Sequence, residues 1–221
     1  MEGIVIKSID YKEKSKLVYL YTPSGIKSIK ALDANKTKLG FVTTLNIVEF
    51  EATGGSFPTV TEYTLKKSFY SMNQSIEKIG ILSPILDVIF HLEEDANHAR
   101  IYPFLLQTLT ELEQTKEPLF VLCVFLIKML SVFGIKPELK KCVRCSKTNI
   151  VNFSILDGGA LCEDCSVHNE KNYLIYEAFK QLYYNLAYTS CEVKLDYSAV
   201  LEVIYSYYAV NANFKLKNYK I

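Results

Sequence analysis

The sequence predicts an α+β protein: a small five-stranded barrel at the amino terminus, followed by a helical domain into which a four-cysteine hairpin is inserted. Three observations carry this. The first 67 residues alternate apolar and polar positions between turn sequences. From residue 68 the apolar spacing changes to steps of three and four. Between Lys141 and Ser166, KCVRCSKTNIVNFSILDGGALCEDCS, two CxxC pairs stand sixteen residues apart.

The barrel comes first. Gly3–Lys7, Lys16–Tyr21 and Gly25–Lys30 are short runs rich in β-branched and aromatic residues, and Thr22-Pro23-Ser24-Gly25 is a tight-turn sequence joining the second to the third. Two further strands are expected at Thr43–Glu51 and, after the Gly54-Gly55-Ser56-Phe57-Pro58 break, at Thr59–Leu65. Five such strands remove their exposed edges most simply by curling into a closed or partly closed barrel. The polar stretch Ala31–Gly40 reads as a link between strands three and four. Tyr19 and Tyr21 share one face of their strand, where they either stack against a ligand or fill the barrel.

Ile76, Ile79, Leu82, Leu86, Ile89 and Phe90 mark an amphipathic helix, with Ser83-Pro84 as a break or restart. Ile101–Leu112 and Pro118–Phe133 are expected as helices too. The second is apolar all round and therefore central, with Pro118 in its first turn and Gly134 as its cap. Its uninterrupted apolar part falls short of the roughly 20 residues that cross a bilayer, so no membrane partner is expected. Tyr173–Tyr188 and Ala199–Val210 complete the helical set. The ten tyrosines after residue 170 either stack against the rings of a ligand or, as the better account, line half-buried helix faces, each ring packing while its hydroxyl finds water or a carbonyl.

Cys142, Cys145, Cys162 and Cys165 have the spacing of a four-thiolate zinc site in which each pair forms one knuckle. Asp157-Gly158-Gly159 gives the intervening chain the freedom to turn back as a hairpin. Iron, a site that has lost its metal, and disulfide chemistry are the alternatives. A redox CxxC normally stands alone beside a βαβ pattern, which this chain lacks. With four protein thiolates the coordination sphere is closed, so zinc would be structural. Cys123 and Cys191 read as buried small residues.

No P-loop, no GxGxxG opening a helix and no GxSxG is present, and no PCxxC accompanies His91, His98 or His168, since Lys141 and Leu161 precede the two CxxC pairs. Glu93-Glu94 and Glu163-Asp164 lie in charged, solvated stretches. No catalytic residue is assigned, and the expectation is a protein that is not an enzyme. Net charge is +1, yet it is unevenly placed: ten Lys and Arg oppose seven Asp and Glu up to Lys67, and five oppose eight from Ser68 to Pro137. This is a mild anion-facing bias in the amino-terminal part. The opening MEGIVIKSIDYKEK lacks the features of a signal peptide, so a cytoplasmic location is expected.

Three passages together resemble the RecO family of bacterial recombination mediators. They are Gly3-Ile4-Val5-Ile6 with Tyr11, Glu13, Leu17-Val18, Leu20, Thr22 and Gly25; Phe133-Gly134-Ile135-Lys136-Pro137-Glu138-Leu139 leading into Cys142-Val143-Arg144-Cys145; and Phe153-Ser154, Gly158-Gly159 and Cys162-Glu163-Asp164-Cys165. The resemblance implies an OB-fold DNA-binding domain at 1–67 and a helical domain at 68–221 that includes a zinc-binding segment at 140–166. It implies binding of single- and double-stranded DNA, annealing of complementary strands, and work with RecR to load RecA on strands coated by single-strand-binding protein. The location implied is cytoplasmic and nucleoid-associated. Candidate DNA contacts are Lys27, Lys30, Lys36 and Lys38. Lys215, Lys217 and Lys220 either add to them, attract an acidic tail of single-strand-binding protein, or form a solvated end. ALDANKTKLG contains Asp33 and no arginine where the family commonly carries a richer basic stretch. The alternative is a zinc-containing protein–protein adaptor without direct DNA binding.

Overall fold

The computed structural model describes residues 1–34, 38–74, 76–166, 170–185, 188, 196–212 and 214–216. Five strands, β1 (Glu2–Tyr11), β2 (Ser15–Thr22), β3 (Gly25–Ala31), β4 (Asn46–Thr53) and β5 (Thr59–Ser68), close into a barrel in the order β1-β2-β3-β5-β4. This fits the OB-like fold. All pairings are antiparallel except β3 with β5, which closes the barrel through one parallel pair, Lys30 with Thr59. Val5, Val18, Leu20, Ile29, Val48 and Phe50 fill the interior.

The link between β3 and β4 is more than a polar connection. It contains a one-turn helix, α1 (Leu39–Val42), whose Phe41 and Val42 join the barrel core. Phe41 packs on Phe50 and Tyr63 with ring centroids 5.7 and 5.6 Å apart. The residues Thr43–Leu45, expected in a strand, are used to leave this helix, so β4 begins at Asn46. Three apolar residues, Leu39, Phe41 and Val42, leave too short a pattern to announce a helix of one turn.

Helix α2 (Ile76–Phe90) runs through Pro84 without a break. Helix α3 (His98–Gln114) starts where the Asn97 side chain accepts from the Arg100 backbone N–H at 3.2 Å. Helix α4 (Pro118–Met129) has Pro118 in its first turn and every residue from Phe120 to Ile127 buried. It stops at Met129, short of Phe133, and tighter turns lead to Gly134 at φ +70°. Strands β6 (Ile150–Ser154) and β7 (Gly159–Cys162) form the hairpin, followed by α5 (Glu170–Tyr184) and α6 (Tyr197–Asn211). Asp196 caps α6 by accepting from the backbone N–H groups of Ser198 and Ala199. No helix among the described residues is long and apolar enough to cross a membrane.

The chain divides into two compact units, Met1–Ile79 with Ile89–Gln114, and Gly80–Val88 with Thr115–Lys220. Within the first, α3 lies on the outer face of β2. Tyr21 is fully buried there, its hydroxyl 3.1 Å from His98 Nδ1 and its ring 6.0 Å from that of Tyr102. Tyr19 meets Phe90 edge-on at 6.0 Å. Neither tyrosine fills the barrel and Tyr21 is closed to any ligand: Val18 and Leu20, which alternate with them, take the interior. In the second unit the tyrosine hydroxyls find carbonyls, Tyr176 that of Leu139, Tyr207 that of Gly158 and Tyr208 that of Leu126.

Candidate functional site

The hairpin gathers the four cysteines. Their Sγ atoms all lie within 4.8 Å of one another, and those of Cys145 and Cys162 are 3.3 Å apart. Cys142 precedes a knuckle closed by two backbone hydrogen bonds, from the Ser146 N–H to the Cys142 carbonyl at 2.9 Å and from the Cys142 N–H to the Lys147 carbonyl at 2.7 Å. Ser146 takes the left-handed conformation that this turn needs, at φ +64°. In the second knuckle, Ser166 donates from its backbone to the Cys162 carbonyl at 3.1 Å. The Val143 N–H reaches the Ala160 carbonyl at 2.9 Å and ties the first knuckle to β7.

Gly159 fixes where the hairpin lies. A Cβ there would fall 2.4 Å from the Glu138 carbonyl oxygen and 2.8 Å from the Glu138 nitrogen, so only glycine admits the backbone of Glu138 beside it. Glu138 then donates to the Gly158 carbonyl at 3.1 Å and accepts from the Ala160 N–H at 2.9 Å. The hairpin packs Phe153 on Phe179 of α5, with centroids 4.5 Å apart, and Asn211 of α6 donates to the Ile155 carbonyl at 3.0 Å.

Two ion pairs brace the cluster, and sequence reading assigned neither. Arg144 holds Asp157 with both ends of its guanidinium, Nε to Oδ1 at 2.9 Å and a terminal nitrogen to Oδ2 at 2.8 Å. Its other terminal nitrogen donates to the Cys165 carbonyl at 3.0 Å. One side chain thus joins the first knuckle, the hairpin turn and the second knuckle. Hydrogen bonds from Arg144 and Ser154 hold the Asp157 carboxyl below its ordinary range. Lys147 and Asp164 form the other pair, again one residue from each knuckle. The spacing of Arg144 and Asp157 gives no hint of their meeting, because it depends on the hairpin register.

The cluster fits a tetrahedral metal ion. Four sulfurs at about 2.3 Å from a common centre stand about 3.8 Å from each other, and the observed separations bracket that distance. The chemistry of the donors agrees. Burial opposes ionisation of Cys142, but the backbone N–H groups of Cys162, Arg144 and Cys145 outweigh it and bring the thiol down to about 6. Cys165 is pushed up to about 12 by its hydrogen bond with Cys145 and by burial. The Lys147 backbone N–H pulls Cys145 down, yet its contact with Cys162 and burial leave it raised. Four sulfurs this close become thiolates together only around a cation. Such an ion would join the two knuckles and, with its sphere filled by protein, would supply no open coordination position. Cys123 stands apart, buried in α4 with its thiol donating to the Tyr197 carbonyl at 3.6 Å. Cys191 and His168 lie outside the described residues.

The basic candidates are placed differently from one another. On β3, Lys27 shares a face with the buried Ile29 and Ala31, whereas Lys30 falls on the opposite face with Ser28. The Lys30 ammonium lies over the Phe57 ring, 5.4 Å from its centroid. The Lys38 ammonium donates to the Val60 carbonyl at 3.3 Å, which ties the start of α1 to β5. Lys215 is exposed. Lys36, Lys217 and Lys220 lie outside the described residues. Among residues that sequence reading passed over, Phe57 is notable: its signal was an apolar ring within a Gly-Gly-Ser-Phe-Pro turn.

Comparison with known proteins covers both parts of the chain. The family model described as "Recombination protein O N terminal" matches residues 1–69, and that described as "Recombination protein O C terminal" matches residues 73–216. A protein of Halalkalibacterium halodurans described as "DNA repair protein RecO" is 33% identical over 172 residues, covering 74% of this chain and 67% of its own. The protein of the same description from Caldanaerobacter subterraneus is 31% identical over 175 residues, 75% of this chain and 70% of its own. That of Oceanobacillus iheyensis is 25% identical over 236 aligned residues, covering 100% of this chain and 91% of its own.

Proposed function

The chain belongs to the RecO family of DNA repair proteins, and from that premise we propose that it is a recombination mediator acting without catalysis. It binds single- and double-stranded DNA, anneals complementary strands, and with RecR promotes RecA loading on strands coated by single-strand-binding protein. The closed five-stranded barrel carries this reading. OB-like barrels hold single strands by joining a positive surface to aromatic stacking, and lysines add affinity by releasing counterions from phosphate. Residues 1–67 form the DNA-binding domain, with Lys27, Lys30, Lys36 and Lys38 as its contacts and Lys215 and Lys217 as additions from the carboxy-terminal end. Residues 68–221 form the helical domain, and the protein works in the bacterial cytoplasm at the nucleoid.

The metal is zinc, held by Cys142, Cys145, Cys162 and Cys165, and its role is structural. It fastens the segment 140–166 so that Arg144, Asp157 and Glu138 keep the contacts described above.

A strand-annealing assay with the full chain, with and without single-strand-binding protein, tests the reading. Annealing that is retained or increased on coated strands is the expected result. Absence of any DNA binding at low salt would overturn it in favour of a zinc-containing protein–protein adaptor. Metal content is checked separately: one zinc per reduced chain is expected, and a chain that purifies folded with none refutes the assignment.

A further inference from the structure

We infer that Phe57 is a base-stacking position for a single nucleic-acid strand, with Lys30 as the phosphate contact beside it. The inference rests on the DNA-binding reading of the barrel and deepens it.

Phe57 sits in the β4–β5 loop and is 45% exposed, whereas Tyr21, Phe41, Phe50 and Phe69 of the same unit are buried. At 45% exposure part of the ring's flat π-face stays in water, open to a ligand. The ring is nevertheless held in place. The Lys30 backbone N–H donates to the Pro58 carbonyl at 2.9 Å, and Lys30 pairs with Thr59 across the β3–β5 junction. Backbone, and not a long side chain alone, therefore sets the loop against β3, and the Lys30 ammonium stands over the Phe57 ring. The two groups that a nucleotide recognises, a flat π-face and a positive charge, are fixed as neighbours before any ligand arrives.

The rest of the outer surface narrows the choice. OB-like barrels commonly use the face of strands two and three together with the loop between strands four and five. Here part of that face is covered, Tyr21 by His98 and Tyr102 of α3 and Tyr19 by the edge of Phe90. Phe57 keeps its exposure. A single strand is the fitting ligand, since a duplex hides its base faces in its own stack.

The chain contains no tryptophan, so Phe57→Trp places a lone indole at the position. Titrating that variant with a homothymidine oligonucleotide is expected to quench its emission. Phe57→Ala is expected to weaken binding of the same oligonucleotide by about 5- to 150-fold, as loss of one stacked base does, with the salt slope unchanged. Phe57→Tyr restores binding, and Lys30→Gln reduces the log–log salt slope by about 0.7. If the wild-type chain binds the oligonucleotide while Phe57→Ala binds equally well and the indole emission does not change, the inference fails and the DNA-binding reading stands. An indole that responds to an acidic peptide and not to the oligonucleotide also overturns it. If the wild-type chain binds no DNA, both fall together.

Discussion

At the scale of single residues, Arg144 shows what a metal-binding spacing leaves unsaid. The four cysteines were legible in the sequence because CxxC pairs repeat a local geometry. Arg144 was not, since its partners Asp157 and Cys165 come together only after the hairpin turns. Groups that orient ligands around a metal commonly change its affinity by 10- to 100-fold when removed. Arg144 touches the Cys165 carbonyl and not a sulfur, which puts it near the lower end. Arg144→Ala is therefore expected to retain the metal stoichiometry of the wild type but lose the ion to a competing chelator roughly 10-fold more readily, as read by a colorimetric chelator titration. Equal retention in the variant and the wild type would show that the guanidinium braces the knuckles without bearing on the metal.

At the scale of elements, the strands were legible from β-branched and aromatic runs between turn sequences and the long helices from their period, whereas the side that each strand turns inward was not. In β2, Leu17-Val18-Tyr19-Leu20-Tyr21 is apolar at every position, because one face meets the barrel interior and the other meets helical residues. A strand covered on both sides loses its alternation. The buried tyrosines that result give the elements a common response to alkali. Burial raises the hydroxyls of Tyr21, Tyr102, Tyr176, Tyr205, Tyr207 and Tyr208 above their ordinary value of 10.0. Their folded values exceed their unfolded ones, so their contribution to stability is complete below about pH 10 and declines as pH rises beyond it. A melting temperature that falls steeply above pH 10, with delayed tyrosinate absorbance appearing as the chain unfolds, is the expected outcome. Simple titration of all 16 tyrosines before any loss of structure would contradict it.

At the scale of the whole molecule, the barrel, the helices and the four-cysteine hairpin appear in the predicted order. Helix α1 and the seating of α3 against β2 were hidden, the first by its brevity and the second because it depends on contacts between distant parts of the sequence. The charged surface is where sequence and structure diverge most usefully. Four lysines that all meet phosphate would give a log–log salt slope of about −3, at roughly −0.7 each. Lys27 and Lys30 leave β3 on opposite faces, and Lys38 already donates to the Val60 carbonyl. A slope between about −1 and −3 is expected for single-strand binding by the full chain, measured by fluorescence anisotropy across a salt series. A slope near zero would remove these lysines from the interface.

The lone parallel rung between β3 and β5 is the barrel's shortest joint: one residue pair, where β1 and β4 share three and the remaining joints are long zippers. Few hydrogen bonds cross there, and segments so lightly fastened part at a lower free-energy cost than the body of a sheet. Any opening of the cylinder therefore costs least along that line, where its remaining staves can stay joined.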